Sequence, residues 1–548
     1  MIVTAIIHLK LKRKLKINRK YMIAKQLIEP KSIVVVGGSD DIHKPGGTVL
    51  RNLQDGNFKG SLYVVNPKMD EVQGIKAYRD VKDLPEVDCA ILAIAAKFCP
   101  STVEVLAKQK NTKAFIILSA GFHEENEEGA KLERQIVETI NSVGGSLIGP
   151  NCIGVLTNHY SGVFTSPIPE LNPQGVDLIS GSGATALFIM DSGMQKGIKF
   201  NSMYSVGNSA QLGVEEILEY MDESFDPKTS SRVKLLYVES IEKPEKLLKH
   251  ASSLIRKGCR IAAVKSGGSA AGSRAASSHT GALASSDVAV EALFRKAGIV
   301  RCNGRDELMT VAGIFMHPEM KGRNMAVVTH AGGPAVMLTD ALSNGGMDVP
   351  HIEGEKAQEL LGKLFAGSSV GNPIDFLATG TAEQLGYILD ACDRDFDNID
   401  GMAVIFGSPG LFPVFDVYNV LDEKMKTSKK PIFPIFPSSK IVKDEIAEFV
   451  SKGRVYFPDE VLFGNALCKI YKTPAPQPEH FEMPDMDVKK IREVVDNAQN
   501  GYLSPDEIHA LLDAAGVARA KEGVSDNEEE IVKMAKEIGF PLVMKVVG

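Results

Sequence analysis

The segment KSIVVVGG, residues 31–38, constrains the fold more than any other: a near-continuous Val and Ile run that stops at two glycines. A strand with one wet face would alternate apolar and polar residues, so this run predicts a strand buried on both faces of a parallel sheet. The pattern recurs at SLYVVNP (61–67), DCAILAIA (88–95), KAFIILSAG (113–121) and GSLIGPN (145–151), with helical periodicity over 101–108 and 124–142. Alternating strand and helix predicts a doubly wound parallel sheet of about 130 residues.

The rhythm then restarts twice. GVDLISGSG (175–183), NSMYSVGN (201–208), VKLLYVES (233–240) and CRIAAVKSG (259–267) make one set of strands. NMAVVTHAGG (324–333), GMAVIFGSPG (401–410) and KPIFPIFP (430–437) make another. The expected class is therefore α/β, with a doubly wound domain over 22–158 and two flavodoxin-like domains over 159–305 and 306–471. KTPAPQPEH carries three prolines in nine residues, which predicts a linker over 472–484. The remainder, 485–548, differs: helices over 503–515 and 527–538, then an expected strand FPLVMKVVG.

Residues 1–21 form a basic extension in which Lys10, Lys12, Arg13, Lys14, Lys16, Arg19 and Lys20 crowd together after an apolar start. A secretory signal has the opposite order, which leaves a transit peptide or a ragged start ahead of Met22. The net charge of −7 argues against a dedicated nucleic-acid partner. No run of 18 apolar residues is present, so no membrane span is expected. Seven cysteines, an odd number without CxxC spacing, fit a reduced cytoplasmic setting.

Three strand ends deliver glycine-rich turns into helix starts, where unpaired N–H groups and the helix dipole favour anions. They are GGSDDIHKPGG (37–47), SGSGATALF (180–188) and HAGGPAVML (330–338). The first is not GxGxxG, which removes the main support for a nicotinamide dehydrogenase; Lys44 and its glycines suit the phosphates of another nucleotide-containing cofactor. Taken alone, each turn is explained equally well by close sheet–helix packing.

SGGSAAGSRAASSHTGALA (266–284) holds 15 Gly, Ala or Ser residues in 19 and no apolar stripe, which predicts a long functional loop. His279 lies near its tip. Imidazole titrates near neutrality and is a competent nucleophile toward phosphorus. Glu239, at the end of VKLLYVE, is placed to accept the hydrogen of the other ring nitrogen.

Together with VNPK (65–68), SAGF (119–122), IGPNCIGV (148–155), YSVGN (204–208), YVES, SSHTGALA, AGGPAV and GNPIDF (371–376), these motifs resemble the ADP-forming (NDP-forming) acyl-CoA synthetases, the acetate–CoA ligase type related to succinyl-CoA synthetase. The resemblance covers 22–548 and implies a CoA-binding Rossmann-like domain, two flavodoxin-like ligase domains and the start of an ATP-grasp domain. It implies that His279 is phosphorylated with Glu239 as its partner. Gly38, Ser39, Lys44, Gly46, Asn66, Pro67, Lys68 and Asn151 map to the CoA pocket. Ser182, Gly183, Ala184, Gly332, Gly333 and Ala335 map to phosphate, and Lys545 to the nucleotide.

The implied reaction is acyl-CoA + ADP + phosphate ⇌ carboxylic acid + ATP + CoA, with acetyl as the default acyl group and Mg²⁺ accompanying the nucleotide; no protein ligand for a metal is assigned. Asp40 stands where the family often has Arg, and His330 where it usually has Asn. Because 485–548 is short for an ATP-grasp domain, the sequence is expected to be a truncated or split enzyme, oligomeric with itself or with a chain supplying the rest. The competing readings are a CoA-sensing module and an acetyltransferase-associated regulatory relative.

Overall fold

The computed structural model describes residues 23–545 except 57, 281–285, 409–412, 479–484 and 500; of 276–280 it describes the backbone alone. The basic extension 1–21 therefore lies outside the described residues. The described part divides into two units, one ending at Gln477 and one starting at Pro478.

In the first unit the Val/Ile runs form three sheets. The first sheet comprises β1 (Ser32–Val36), β2 (Ser61–Val65), β3 (Glu71–Val72), β4 (Ile75–Tyr78), β5 (Cys89–Leu92), β6 (Ala114–Ile117) and β7 (Ser146–Ile148), in the order β3-β4-β2-β1-β5-β6-β7. Only the β3–β4 hairpin runs antiparallel among its described pairs. The second sheet comprises β8 (Gly154–Leu156), β9 (Ser161–Val163), β10 (Leu171–Ser180), β11 (Phe200–Ser205), β12 (Val233–Val238), β13 (Arg260–Lys265) and β14 (Val300–Cys302). Its order is β14-β13-β12-β10-β11-β8-β9, with β8 and β9 antiparallel at one edge. The third sheet comprises β15 (Met325–Thr329), β16 (Ile374–Asp375), β17 (Gly401–Ile405) and β18 (Ile432–Ile435), ordered β16-β15-β17-β18.

The central strands are buried on both faces, as a continuous apolar run requires. One core joins the second and third sheets through Met190, Phe200, Val327, Phe433 and Phe463. A second core runs from Leu27 and Ile33 to Val214 and Leu254, joining the first sheet to the helices of the second. The helix Arg305–Phe315 packs on β13, so the second sheet keeps it.

Three sequence expectations are corrected. The loop expected over 266–284 contains a helix, Ala270–Thr280. Alanine is the best helix former, and Ser269 Oγ accepts the Gly272 N–H at 3.0 Å at its start, so small residues here mark a helix rather than a free loop. The closing strand is absent among the described residues of FPLVMKVVG: Phe540, Val543 and Met544 are exposed and no neighbouring ladder engages them.

The linker is shorter than 472–484. The helix Glu460–Lys472 overruns its start, and the next residues are tied down: the Gln477 N–H donates to Lys296 O at 3.0 Å, and Pro476 packs on Gly298. Limited proteolysis is therefore expected to leave a core that retains Gln477. Mass spectrometry finding a stable core ending at Tyr471 would contradict this docking.

The second unit holds the helices Val488–Asn497, Pro505–Ala514 and Glu528–Ile538, none with a buried residue. No helix among the described residues is long and apolar enough to cross a membrane. All seven cysteines are buried and free, and burial raises their thiol pKa values.

Candidate functional site

Topology promotes the three glycine turns from packing devices to site candidates. In the first sheet β1 lies between β2 and β5; in the second β10 lies between β11 and β12; in the third β15 lies between β16 and β17. Each is a point where strand order reverses, and ligands of open α/β sheets bind at the carboxyl ends of such strands. All three glycine turns start there.

The first turn is tightly closed. A Cβ on Gly46 would sit 2.1 Å from Gly37 O, and one on Gly47 2.0 Å from Asp41 O. Lys44 precedes the helix Pro45–Asp55, with its side chain 68% exposed and its Nζ 3.6 Å from Asp41 Oδ2. Asn66 Nδ2 donates to Gly38 O at 2.9 Å while Asn66 Oδ1 accepts the Lys68 N–H at 2.9 Å, which ties VNPK to the turn. Pro67 O accepts Arg79 Nη1 at 3.0 Å.

Asp40, the departure from the family pattern, has a structural role: its Oδ1 accepts the Gln73 N–H at 2.7 Å. The Gln73 side chain in turn donates to Ser39 O at 2.7 Å and Gly47 O at 2.9 Å, clasping both ends of the turn. Sequence reasoning missed Gln73, because the hairpin that presents it is apparent only in three dimensions.

Gly46→Ala is expected to destabilise the first domain by at least about 2 kcal/mol, because backbone rather than a flexible side chain occupies the Cβ position. Thermal unfolding and CoA titration should show both a lower midpoint and weaker binding.

The second and third turns share one device. Ser180 Oγ donates to Ser182 O at 2.7 Å and accepts the Ser182 N–H at 3.2 Å. Thr329 Oγ1 donates to Ala331 O at 2.8 Å and accepts the Ala331 N–H at 3.0 Å. Each hydroxyl ends its strand and sets the entry into a helix, Gly183–Gln195 or Gly332–Asn344. Ser182 caps the first, leaving the Gly183 and Ala184 N–H groups without intrahelical acceptors. The second has no side-chain cap, so the Gly332 and Gly333 N–H groups are open, while Ala335 is buried one turn in. His330 stacks on Phe406 with centroids 4.3 Å apart and lies 3.4 Å from Ile405 O through Nδ1. Burial lowers its pKa, which disfavours a positive charge beside that helix.

Glu239 follows β12, with its Oε1 3.5 Å from the Tyr237 hydroxyl. His279 lies on the helix Ala270–Thr280, but its side chain is outside the described residues, as is its pairing with Glu239. Lys545 is exposed in the second unit and belongs to no strand.

Asn151, at φ 56°, follows β7; its Nδ2 lies 3.4 Å from Asn208 Oδ1. Asn208 leads to a cluster that sequence reasoning did not single out. Asn208 Nδ2 donates to Glu124 Oε2 at 2.5 Å and to Glu133 Oε2 at 3.2 Å. His123 Nδ1 lies 2.8 Å and 2.9 Å from the two Glu133 oxygens. The signal available in the sequence was the SAGF motif immediately before His123. Among the described residues this is the group of His, Cys, Asp and Glu side chains whose geometry could hold a metal. It fits Mg²⁺ poorly, because Glu124 is already committed: its Oε1 accepts Gly121 N–H at 2.7 Å and Phe122 N–H at 3.2 Å.

Comparison with known proteins decides the family. The acetate–CoA ligase [ADP-forming] I of Archaeoglobus fulgidus is 32% identical over 534 residues, 95% of this chain and 75% of that protein. The chain belongs to the ADP-forming acyl-CoA synthetases. Within this acyl-CoA synthetase family, the acetate–CoA ligase [ADP-forming] II subunit alpha of Pyrococcus furiosus is 32% identical, over 78% of this chain and 92% of the subunit. A CoA binding domain model matches residues 31–158, and a succinyl-CoA ligase like flavodoxin domain model matches 173–315.

The acetyl-coenzyme A synthetase 1 of Ca. Korarchaeum cryptofilum, solved in complex with phosphate and ADP, superposes with a TM-score of 0.73 at 26% identity. It covers 82% of this chain and 96% of that one. The α/β expectation and the resemblance are thereby borne out.

Proposed function

We propose that this acyl-CoA synthetase interconverts acyl-CoA, ADP and phosphate with carboxylic acid, ATP and CoA, acetyl being the default acyl group. The observation that carries the reading is the placement of all three glycine turns at strand-order reversals, two of them opening helices with free N–H groups. In this reading the 37–47 turn, VNPK and Asn151 hold CoA, while Ser182–Ala184 and Gly332–Ala335 hold phosphate. Phosphate attacks the thioester carbonyl, and the acyl phosphate passes its phosphoryl group to His279, steadied by Glu239. Helix N-termini suit this sequence because phosphoryl transfer is catalysed mainly by positioning and charge stabilisation.

We assign the unit from Pro478 onward to the start of an ATP-grasp domain, with Lys545 reading the nucleotide and Mg²⁺ arriving with it. A second copy or a second chain supplying further nucleotide contacts fits the alpha-subunit name of the Pyrococcus furiosus relative, and the cytoplasm fits the reduced cysteines. A regulatory role without turnover is not favoured, since the two relatives described above are named as acetate–CoA ligases. The test is to incubate the purified chain with acetyl-CoA and labelled phosphate. Acid-labile, base-stable protein label with release of free CoA is expected; neither label nor CoA binding would overturn the reading.

A further inference from the structure

We propose that His123, oriented by Glu133, is the acid–base group for the CoA sulfur. The inference rests on the synthetase reading and deepens it by adding a catalytic residue. Strand order supplies the placement. From the β1 turn, the carboxyl ends of β5, β6 and β7 follow side by side, each step about 4.8 Å, so the β6–β7 corner lies roughly 10–14 Å along that edge. A CoA whose phosphates sit at the β1 turn must run its pantetheine arm along this edge to bring the thioester toward the phosphate-binding helix.

That helix is at the same corner. The Asn208 N–H donates to Pro150 O at 2.9 Å, and the Ala210 N–H to Gly149 O at 3.2 Å, which lays the loop after β11 on the loop after β7. Ile153, two residues beyond Asn151, packs so close to Gly183 that a Cβ there would lie 2.6 Å from Ile153 Cγ2. The first turn of the Gly183 helix, Asn151, Asn208 and the His123–Glu133 pair are thus linked by successive contacts.

Within the pair the roles are set by geometry. Glu133 engages Nδ1, leaving Nε2 without a partner among the described residues on a side chain that is 30% exposed. Glu133 from the helix Glu127–Ser142 and Glu124 from the preceding loop are the charged groups facing the ring, and both favour its protonated form. A protonated ring with a free Nε2–H is a proton donor.

The step balances. A phosphate oxygen forms a bond to the thioester carbonyl carbon, the C–S bond breaks, and its electron pair stays on sulfur. Nε2–H gives its proton to that sulfur, and CoA leaves as the thiol. The proton of the attacking hydrogen phosphate returns to Nε2 through solvent. In synthesis the neutral ring takes the thiol proton as sulfur attacks the acyl phosphate.

Arsenate isolates this step: acyl arsenate hydrolyses in water, so thiol release from acetyl-CoA can be followed without nucleotide or phosphohistidine. In this direction the protonated ring is required, so the wild-type rate should fall as pH rises through the His123 pKa. His123→Gln is expected to lower thiol release about a hundredfold and to erase that alkaline limb, with CoA affinity within about threefold of wild type. Added imidazole should partly restore His123→Ala. Glu133→Gln should move the limb down by about one pH unit, since a neighbouring negative charge is lost. Wild-type-like rate and limb in His123→Gln overturn the proposal while leaving the synthetase reading intact. No arsenolysis and no CoA binding in the wild type would overturn both.

Discussion

His279→Ala should reduce protein-bound phosphoryl label to background. In the proposed reaction the variant removes the nucleophile itself, and two described histidines have other engagements: His330 stacks on Phe406 beside Ile405 O, and His123 is paired with Glu133. The placement supports the assignment independently of the motif. β12 and β13 are parallel neighbours in register from Val233↔Arg260 to Val238↔Lys265, so Glu239 and the segment leading to His279 leave the sheet side by side. Glu239→Gln should therefore slow labelling about 10- to 100-fold without abolishing it, the usual cost of losing a carboxylate that orients a reacting ring. Phosphate label stability in acid and base, followed by peptide mapping, checks both. Full labelling of His279→Ala would move the phosphoryl acceptor elsewhere.

What the sequence disclosed was the part governed by periodicity and by glycine. KSIVVVGG, GVDLISGSG and NMAVVTHAGG each became a buried parallel strand ending in a turn, because burial on both faces leaves one choice of composition. It could not say that these three strands are the reversal points of their sheets, since strand order depends on long-range pairing rather than local pattern. The 266–284 segment misled because helix propensity and loop composition overlap for Ala and Ser. Beyond the SAGF motif before His123, the His123–Glu133–Asn208 cluster was hidden for another reason: its members come from a loop, a helix and the loop after β11, joined by no spacing rule. The described part of FPLVMKVVG, 540–545, forms no strand because an apolar run forms one only when a ladder partner is available.

The largest effect on stability is expected away from the glycine turns. Lys234, 2% exposed, holds Asp177 at 2.5 Å, and Asp177 Oδ1 accepts Asn201 Nδ2 at 2.7 Å and Ser202 Oγ at 2.6 Å. Asp177 and Lys234 face each other on the second rung of the β10–β12 ladder, at the end of that ladder opposite the glycine turn. Lys234→Met leaves a buried carboxylate with hydrogen bonds but no counter-charge, at a cost of about 3–5 kcal/mol. The effect should fall in the lower half of that range, because the pair lines a polar cavity of about 160 Å³ into which water can follow the lost ammonium. Asp177→Asn in the same background should recover most of the loss, since the remaining amide is neutral and Ser202 can still donate to its oxygen. A urea unfolding cycle of the two single variants and the double measures this directly. Lys234→Met with an unchanged midpoint would mean that the carboxylate protonates at negligible cost, and the pair would then be a passenger in the sheet rather than one of its fixings.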